Sequence, residues 1–269
     1  MKALLIYRAA QFSPNSVEKD KMILEAVGEE LWNKGHDVTY VAEENISDDD
    51  DADVILSMGR LPETIEWLAR KEQQARLTVN SSKALRNASR STIERLMREN
   101  GIPAAPLEGD EGYWLKRGDA AAQQKGDVVY AKDGEERERL LADFKARGIS
   151  DVVVTAHVAG DLVKFYGVRG TGFFKCFYPT DDGESKFDNE LHNGAAHHYA
   201  FDSQQLMATA ERLAAVIGLD VYGGDCIVRS DGTFAIIDFN DWPSFSRCRE
   251  EAADAIASLV LNSKFVDSK

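Results

Sequence analysis

The first 80 residues alternate short apolar runs with amphipathic segments. The run 3–7 has the length of a buried strand, and 17–33 spaces its apolar residues as a helix that packs one face does. Further strand-like runs follow at 37–41, 53–57 and 76–80, with a helical pattern at 62–71, as read from the same sequence. Strands that alternate with helices indicate a parallel sheet, so this part is expected to be a small α/β domain.

The rest of the chain mixes strand and helix patterns less regularly. Ser91 and Glu94 have the spacing of a capping box, and Ser203 precedes a second apolar-periodic segment, so both serines are expected to cap helices. Strands are predicted at 113–116, 127–131, 151–156 and 173–178, a turn and a strand within 157–168, and helices at 91–100, 135–147, 203–217 and around 252–260.

Residues 224–240 predict a β-hairpin. Two runs of strand-forming residues are joined by Asp231 and Gly232, a pair that readily adopts the positive φ angles of a two-residue turn. Such a turn fixes the pairing of the strands, because it places Ser230 opposite Thr233.

Counting back from this turn brings acidic side chains together. Ile227 is expected opposite Ile236, and Asp225 opposite Asp238. Asn240 shares a face with Asp238 because side chains alternate along a strand. Like charges placed opposite each other repel, so this face is either open to solvent or holds a cation between the carboxylates. Oxygen ligands of this kind suit Mg²⁺ or Mn²⁺.

Composition narrows the class of protein. The 269 residues contain 46 acidic and 32 basic side chains, a net charge of −14 that disfavours binding to nucleic acid or anionic membranes. Apolar runs are too short for a membrane span or a signal peptide, so a cytoplasmic protein is expected. Cys176, Cys226 and Cys248 are expected to be free thiols. The histidines within 192–198 are expected to be loop residues rather than zinc ligands.

Several basic residues are candidate ligand contacts. Lys116 ends a strand before the small-residue loop 118–122, and together they can surround a phosphate, although an exposed lysine is an equal alternative. Lys164 lies among apolar residues and requires an anionic partner unless its ammonium reaches solvent. Arg8 and the loop 57–60 follow parallel strands, where ligands of α/β sheets bind, so they are candidate substrate contacts, although ordinary loop roles are the favoured alternative for each residue taken singly.

The order of these parts resembles the ATP-grasp superfamily, including the D-alanine–D-alanine ligases. The hairpin carries the likeness, with an Asp on its first strand and an acidic residue and an Asn two apart on its second. The resemblance implies an α/β fold (α+β overall) with a Rossmann-like N-terminal domain at 1–80. A two-lobed ATP-grasp domain is expected at 81–269, with a mobile small subdomain at about 104–156.

The resemblance also implies roles for individual residues. Asp225, Asp238 and Asn240 match the ligands of the Mg²⁺ (or Mn²⁺) ions that bridge the ATP phosphates. Arg90 falls where a lysine is usual, and the loop from Gly118 matches the phosphate lid. The expected contacts to ATP are Arg90, Lys116, Gly118, Thr155, Ala156, Val158 and Lys164, with the adenine received largely by backbone groups of the hinge at 155–158.

Two positions depart from the ligase pattern. Carboxylate–amine ligases usually have Glu where this chain has Asp238, whereas the inositol phosphate kinases use Asp. Gly223 stands where D-alanine–D-alanine ligase has an arginine that steadies the acyl phosphate. Arg229 or Arg247 could substitute for it, although a surface residue at the hairpin end is favoured for Arg229 and the absence of this role is an equal alternative for Arg247.

The expected activity is that of an ATP- and Mg²⁺-dependent ligase. It would activate a carboxylate of a small molecule or peptide as an acyl phosphate and form a C–N bond with an amine. A small-molecule kinase of the inositol phosphate kinase type and an ATP-binding module without turnover are the alternatives. The expected partner is the substrate, with no nucleic acid or membrane, and a homodimer is left open.

Overall fold

The computed structural model describes residues 1–12, 17–119, 122, 124–179, 181 and 193–263. Its strands form three sheets with the orders β2-β1-β3-β4, β6-β5-β7 and β11-β10-β8-β9. The strands are β1 Lys2–Tyr7, β2 Asp37–Ala42, β3 Val54–Ser57, β4 Leu77–Val79, β5 Tyr113–Arg117, β6 Val128–Ala131, β7 Val152–Ala156, β8 Asp161–Val168, β9 Phe173–Phe177, β10 Val221–Val228 and β11 Phe234–Asp241. The helices are α1 Val17–Asn33, α2 Pro62–Lys71, α3 Ser82–Asn87, α4 Arg90–Glu99, α5 Gly134–Ala146, α6 Ser203–Ile217 and α7 Arg249–Asn262.

The N-terminal sheet is parallel, as the alternating pattern predicts. Helix α1 buries the apolar face that the spacing indicates, including Ile23, Val27 and Leu31, in the same core as Ile256 and Val260 of α7. The last helix therefore shares the core that α1 forms beside the parallel sheet. The predicted boundary near residue 80 remains a prediction.

The other two sheets are antiparallel, and each has a helix on one face. Helix α5 packs Phe144 against Leu115 of the small sheet β6-β5-β7. Helix α6 packs against Cys226 and Ile236 of the large sheet. Because side chains alternate, Asp225 lies on the face of the large sheet opposite α6.

The predicted two-residue turn is wrong. Arg229 N donates to Thr233 O at 2.8 Å, and the loop between them has three residues, with Gly232 at φ 81°. Three-residue hairpin loops commonly place a glycine in this left-handed conformation. Ile227 consequently pairs with Ala235 rather than with Ile236.

A β-bulge restores the pairing of the two aspartates. The register shifts between Asp225 and Cys226, because Cys226 pairs with Ile236 whereas Asp225 pairs with Asp238. Ile237 is the extra residue of the bulge. The predicted juxtaposition of Asp225 and Asp238 is therefore confirmed, but it depends on two irregularities that compensate for each other.

Two predicted helix caps are also wrong. Ser89, not Ser91, caps α4, and its Oγ accepts a hydrogen bond from Thr92 N at 3.4 Å. Asp202, not Ser203, caps α6, and it accepts from the backbone at 2.9 and 3.1 Å. Ser91 is instead the second residue of α4, and Ser203 is the first residue of α6.

The expectation for the three cysteines is confirmed. Cys176, Cys226 and Cys248 are free thiols. In the part of the chain that the structure describes, none of the helices combines the length and the apolar character that a membrane crossing requires.

Candidate active site

A row of charged side chains crosses the open face of the large sheet. Lys164 pairs with Asp225 across β8 and β10, and Asp225 pairs with Asp238 across β10 and β11. Lys164 Nζ lies 3.3 Å from Asp225 Oδ1. The side chains of Asp225 and Asp238 are 26% and 31% exposed, so the row is open to a ligand. Together with Arg90 these three residues are called the charge row below.

Arg90 connects the row to the small sheet. It is the first residue of α4, and its Nε lies 3.4 Å from Asp238 Oδ1. Its Nη1 donates to the carbonyl of Arg117, at the end of β5, at 2.6 Å. One guanidinium therefore joins a hairpin carboxylate to the base of the predicted phosphate lid.

Lys116 approaches the hairpin from the small sheet. Its Nζ donates to the carbonyl of Ile237, the bulge residue, at 2.7 Å. Burial lowers the pKa of Lys116, and the nearby Asp238 carboxylate opposes this effect. Burial acts to raise the pKa of Asp238, but Arg90 and Lys116 outweigh it and hold this pKa below the ordinary value. Asp238 is therefore ionised at neutral pH.

The donor atoms on this face fit a hard divalent cation. Asn240 is exposed and shares the face of Asp238. Within the described residues, no three His, Cys, Asp or Glu side chains form a metal-binding group, so a protein-only cage is absent there. Two carboxylates and an amide instead suit Mg²⁺, which commonly takes one or two carboxylates and completes its shell with water and phosphate oxygens. The roles of Asp225, Asp238 and Asn240 as ligands remain predictions.

The predicted adenine hinge borders a cleft beside the row. Thr155 lines this cleft with Lys116 and Ile237. Ala156 N donates to Pro106 O at 2.7 Å, so this backbone donor is already used. The Val158 side chain is buried in an apolar cluster with Ala105 and Ile227. The contacts of Thr155, Ala156 and Val158 to adenine remain predictions.

Gly118 lies where the small sheet meets α4. Its N donates to Asp151 O at 2.8 Å, and its carbonyl accepts from Ser91 N at 3.1 Å. A Cβ at this position would overlap the Ser91 and Asp151 side chains, which are hydrogen-bonded to each other. The predicted lid begins here, but Ala120 and Ala121 lie outside the described residues. His192, which was predicted to be a loop residue, also lies outside them.

The structure separates the two arginines that were predicted to replace the one missing at Gly223. Arg229 lies at the hairpin turn, where its Nη1 donates to Thr233 Oγ1 at 3.3 Å. The guanidinium of Arg247 lies 5.5 Å from the centre of the Phe177 ring, and Phe177 pairs with Lys164 across β8 and β9. Arg247 is therefore near the Lys164 end of the charge row. Arg229 lies four residues beyond Asp225, towards the turn.

Gly223 itself has no room for a side chain. A Cβ there would lie 2.8 Å from Pro243 Cγ and 3.0 Å from Tyr166 Cδ1. The volume that an arginine would need is thus filled by a ring from each neighbouring segment.

Asp241 was missed in the sequence. Its carboxylate is fully buried and pairs with Arg60 and with Arg8, whose Nη2 lies 3.0 Å from Asp241 Oδ2. Burial acts to raise the pKa of Asp241, but the two guanidiniums outweigh it and lower this pKa. A signal was present, because alternation from Asn240 assigns Asp241 to the buried face, where a carboxylate requires a cationic partner.

The chain matches known proteins in its structure but not in its sequence. No protein-family model and no curated protein matches the chain. D-alanyl-alanine synthetase A from Vibrio cholerae superposes with a TM-score of 0.68 at 12% identity, over 98% of both chains. A RimK domain ATP-grasp protein from Sphaerobacter thermophilus gives 0.65 at 18% identity, over 97% of this chain and 100% of that one. The chain has the ATP-grasp fold.

The ATP-grasp ligase PsnB, in complex with a minimal precursor, gives a TM-score of 0.62 at 13% identity over 97% of this chain and 99% of that chain. The ATP-grasp resemblance predicted from the hairpin is thereby confirmed at the level of the fold. At these identities the likeness extends to the fold alone, and the chemistry depends on the residues of this chain.

Proposed function

We propose that the protein is an ATP- and Mg²⁺-dependent ligase that activates a carboxylate of a small molecule or peptide as an acyl phosphate. An amine then attacks this acyl phosphate to form a C–N bond. The observation that carries the proposal is the charge row, in which two facing carboxylates are surrounded by cations from both sides of a cleft. The ATP-grasp ligases of the same fold support it.

The charges of the site suit a metal–triphosphate complex. Arg90, Lys116 and Lys164 supply three positive charges near the two negative charges of Asp225 and Asp238. Mg²⁺ would be held by the two aspartates and Asn240, where it supplies neutralisation of the phosphate charge. Arg90 and Lys164 could then turn from the carboxylates to the phosphate oxygens, because their present distances of 3.4 and 3.3 Å are those of loose ion pairs.

The contribution of the protein to the reaction is positioning and charge stabilisation. A substrate carboxylate oxygen bonds to the γ-phosphorus as the bond to ADP breaks. The amine nitrogen then bonds to the acyl carbon as phosphate leaves, and the amine proton passes to solvent. Arg247, near Lys164, is proposed to steady the acyl phosphate in place of an arginine at Gly223. No covalent bond to the protein is required.

One observation favours a kinase as the second candidate. Asp238 occupies a position where the likeness to ligases predicts Glu, and the inositol phosphate kinases share the Asp. A kinase would transfer the phosphoryl group to a hydroxyl and stop there.

Product analysis separates these functions. The purified protein is incubated with Mg-ATP and a pool of carboxylates, amines and polyols, and ADP is followed. ADP with free phosphate and an amide supports the ligase, whereas ADP with a phosphorylated alcohol supports the kinase. Mg-ATP binding without turnover on every pool would instead identify a binding module. The same assay is applied to Asp238→Asn, which should lose ADP formation. Asp231→Asn, at the turn of the same hairpin, is its control and should retain it.

A further inference from the structure

A buried ion network joins the N-terminal domain to the strand that carries the predicted metal ligands. The network consists of Arg8, Asp20, Arg60 and Asp241. Arg8 lies 3.1 Å from Asp20 and 3.0 Å from Asp241, and Arg60 pairs with the other oxygen of Asp241. Asp241 is the last residue of β11 and directly follows Asn240.

The two arginines come from loops that are themselves held together. Arg8 follows β1 and Arg60 follows β3. The buried carboxylate of Glu43 accepts hydrogen bonds from the backbone of both loops, including Arg60 N at 2.6 Å and Leu61 N at 2.8 Å as well as Ala9 N. Arg8 Nε also donates to Met58 O at 3.1 Å. The loops therefore form one unit, and this unit is attached to β11 through Asp241.

The charges within the network balance. Two guanidiniums face two carboxylates, and the Arg8 and Asp241 side chains are 6% and 0% exposed. Buried charges are costly unless they are paired, so both arginines are already engaged inside the protein. The substrate contacts expected for Arg8 and the loop 57–60 remain predictions, but the Arg8 and Arg60 guanidiniums are already paired with Asp241.

The network lies close to the predicted metal ligands but is closed to solvent. Asp238 lines the cleft, whereas the Asp241 carboxylate is fully buried against Arg8 and Arg60. Asp241 lies three residues from Asp238, a distance of about 10 Å along a strand. Any shift of the N-terminal loops relative to β11 would therefore move the substrate side of the cleft relative to the metal ligands.

We propose that Asp241 is a positioning residue, which holds the loops after β1 and β3 at a fixed place relative to the metal-binding face of β11. The proposal rests on the proposed function for its effect on turnover, but its structural part stands on the ion pairs alone. It assigns to Asp241 the alignment of the two substrates and to Asp20 only the local support of Arg8.

The test compares Asp241→Asn with Asp20→Asn. Each variant removes one carboxylate charge from the same Arg8 guanidinium, and the two aspartates are 0% and 8% exposed. Only Asp241→Asn breaks a contact between the N-terminal loops and β11. Deuterium uptake of peptides covering 57–61 and 238–242 is measured for both variants in the full chain. Turnover with the substrate that supports ADP formation is measured in parallel.

The proposal predicts different results for the two variants. In Asp241→Asn, the backbone amides of 57–61 should take up deuterium at least about tenfold faster than in the parent. The same variant should have a kcat at least about tenfold lower, with KM for Mg-ATP within about twofold of the parent. Asp20→Asn should stay within about threefold of the parent in every measurement. Equal effects of the two variants, or parent-like exchange and kcat in Asp241→Asn, would overturn the proposal.

Two further arms keep the test decisive. If Asp241→Asn fails to fold, Arg60→Gln removes the other ion pair of Asp241 at a side chain that is 19% exposed, and it should give the same loss of kcat at unchanged KM. If the parent forms no ADP on any substrate pool, the proposed function fails, whereas the exchange measurement still decides whether Asp241 holds the loops.

Discussion

The charge row and the buried ion network show two different uses of ion pairs on one strand. In the row, side chains that are 16–31% exposed pair at 3.3–3.4 Å. In the network, Arg8 and Asp241 are nearly or fully buried and pair at 3.0 Å. Exposed and loose pairs can exchange partners with a ligand at little cost, but buried pairs cannot. The row is therefore suited to binding, and the network is suited to holding the loops after β1 and β3 against β11.

Both regions lie on β11. Asp238 lines the cleft and Asn240 is exposed, whereas Asp241, at the end of the strand, is buried against Arg8 and Arg60. A single strand thus fixes the distance between the predicted metal site and the loops opposite it. The following predictions test whether the two regions really differ in this way.

The largest expected effect is on activity. Asp238→Ala removes the carboxylate opposite Asp225, and we expect Mg-ATP-dependent ADP formation to fall by about 10³-fold or more, as for other groups that stabilise charge in a transition state. The fold should remain, as judged by circular dichroism, because the side chain is 31% exposed. Activity near the parent level would remove Asp238 from the site.

The second prediction contrasts the stability of matched variants. Asp241→Asn leaves the buried Arg8 and the partly buried Arg60 with one anionic partner fewer, and we expect it to lower the free energy of unfolding by about 3–5 kcal/mol. Asp238→Asn should change this free energy by less than about 1 kcal/mol, because the ion pair that it removes, between Asp238 and Arg90, is partly exposed to solvent. Denaturant unfolding measures both. Equal losses would erase the distinction between the two regions.

A smaller effect on stability is expected at Gly223, which packs against Pro243 in the loop that carries Arg247. Gly223→Ala would place a Cβ 2.8 Å from Pro243 Cγ, and such overpacking is expected to cost about 1–3 kcal/mol of stability. Gly134→Ala is the control, since no atom lies within 4 Å of its added Cβ. We expect Gly134→Ala to leave the stability within about 0.5 kcal/mol of the parent or to raise it. A destabilised Gly134→Ala with an unchanged Gly223→Ala would contradict the packing.

The smallest effect concerns a buried carboxylate that has backbone partners instead of arginines. Asp161 accepts from His197 N at 2.7 Å and Tyr199 N at 2.9 Å. Burial acts to raise its pKa, but these hydrogen bonds outweigh it and lower the pKa below 3.8. A lowered folded-state pKa contributes stability above pH 3.8 that is lost as the pH falls through the folded value. The free energy of unfolding is measured from pH 5 down to pH 2, in steps of about 0.5. It should fall less steeply with decreasing pH for Asp161→Asn than for the parent.

The sequence predicted the elements better than their exact pairing. Hydrophobic spacing located α1 and α2, because that spacing records which face a helix buries. It could not reveal the bulge at Ile237, which adds one residue to β11 and offsets the residue added in the hairpin loop. A bulge is set by packing on both faces of the sheet, and this packing involves residues far away in the chain.

The buried network was beyond reach for the same reason. Arg8 and Asp241 are 233 residues apart, and Arg60 and Asp241 are 181 apart. Each arginine alone reads as a loop residue at a sheet edge, and only the tertiary structure brings both to one carboxylate. Lys164 was more predictable, since a lysine in an apolar strand requires an anion, and the structure supplies Asp225.

Binding of Mn²⁺ tests the central claim that the Asp225–Asp238 face of the hairpin holds a metal–nucleotide complex. Free Mn²⁺ is followed by electron paramagnetic resonance in the presence of a non-hydrolysable ATP analogue. We expect the parent and the turn variant Asp231→Asn to bind Mn²⁺ with the analogue equally well, and Asp238→Asn to bind it at least about tenfold more weakly. Parent-like Mn²⁺ binding by Asp238→Asn would contradict the account.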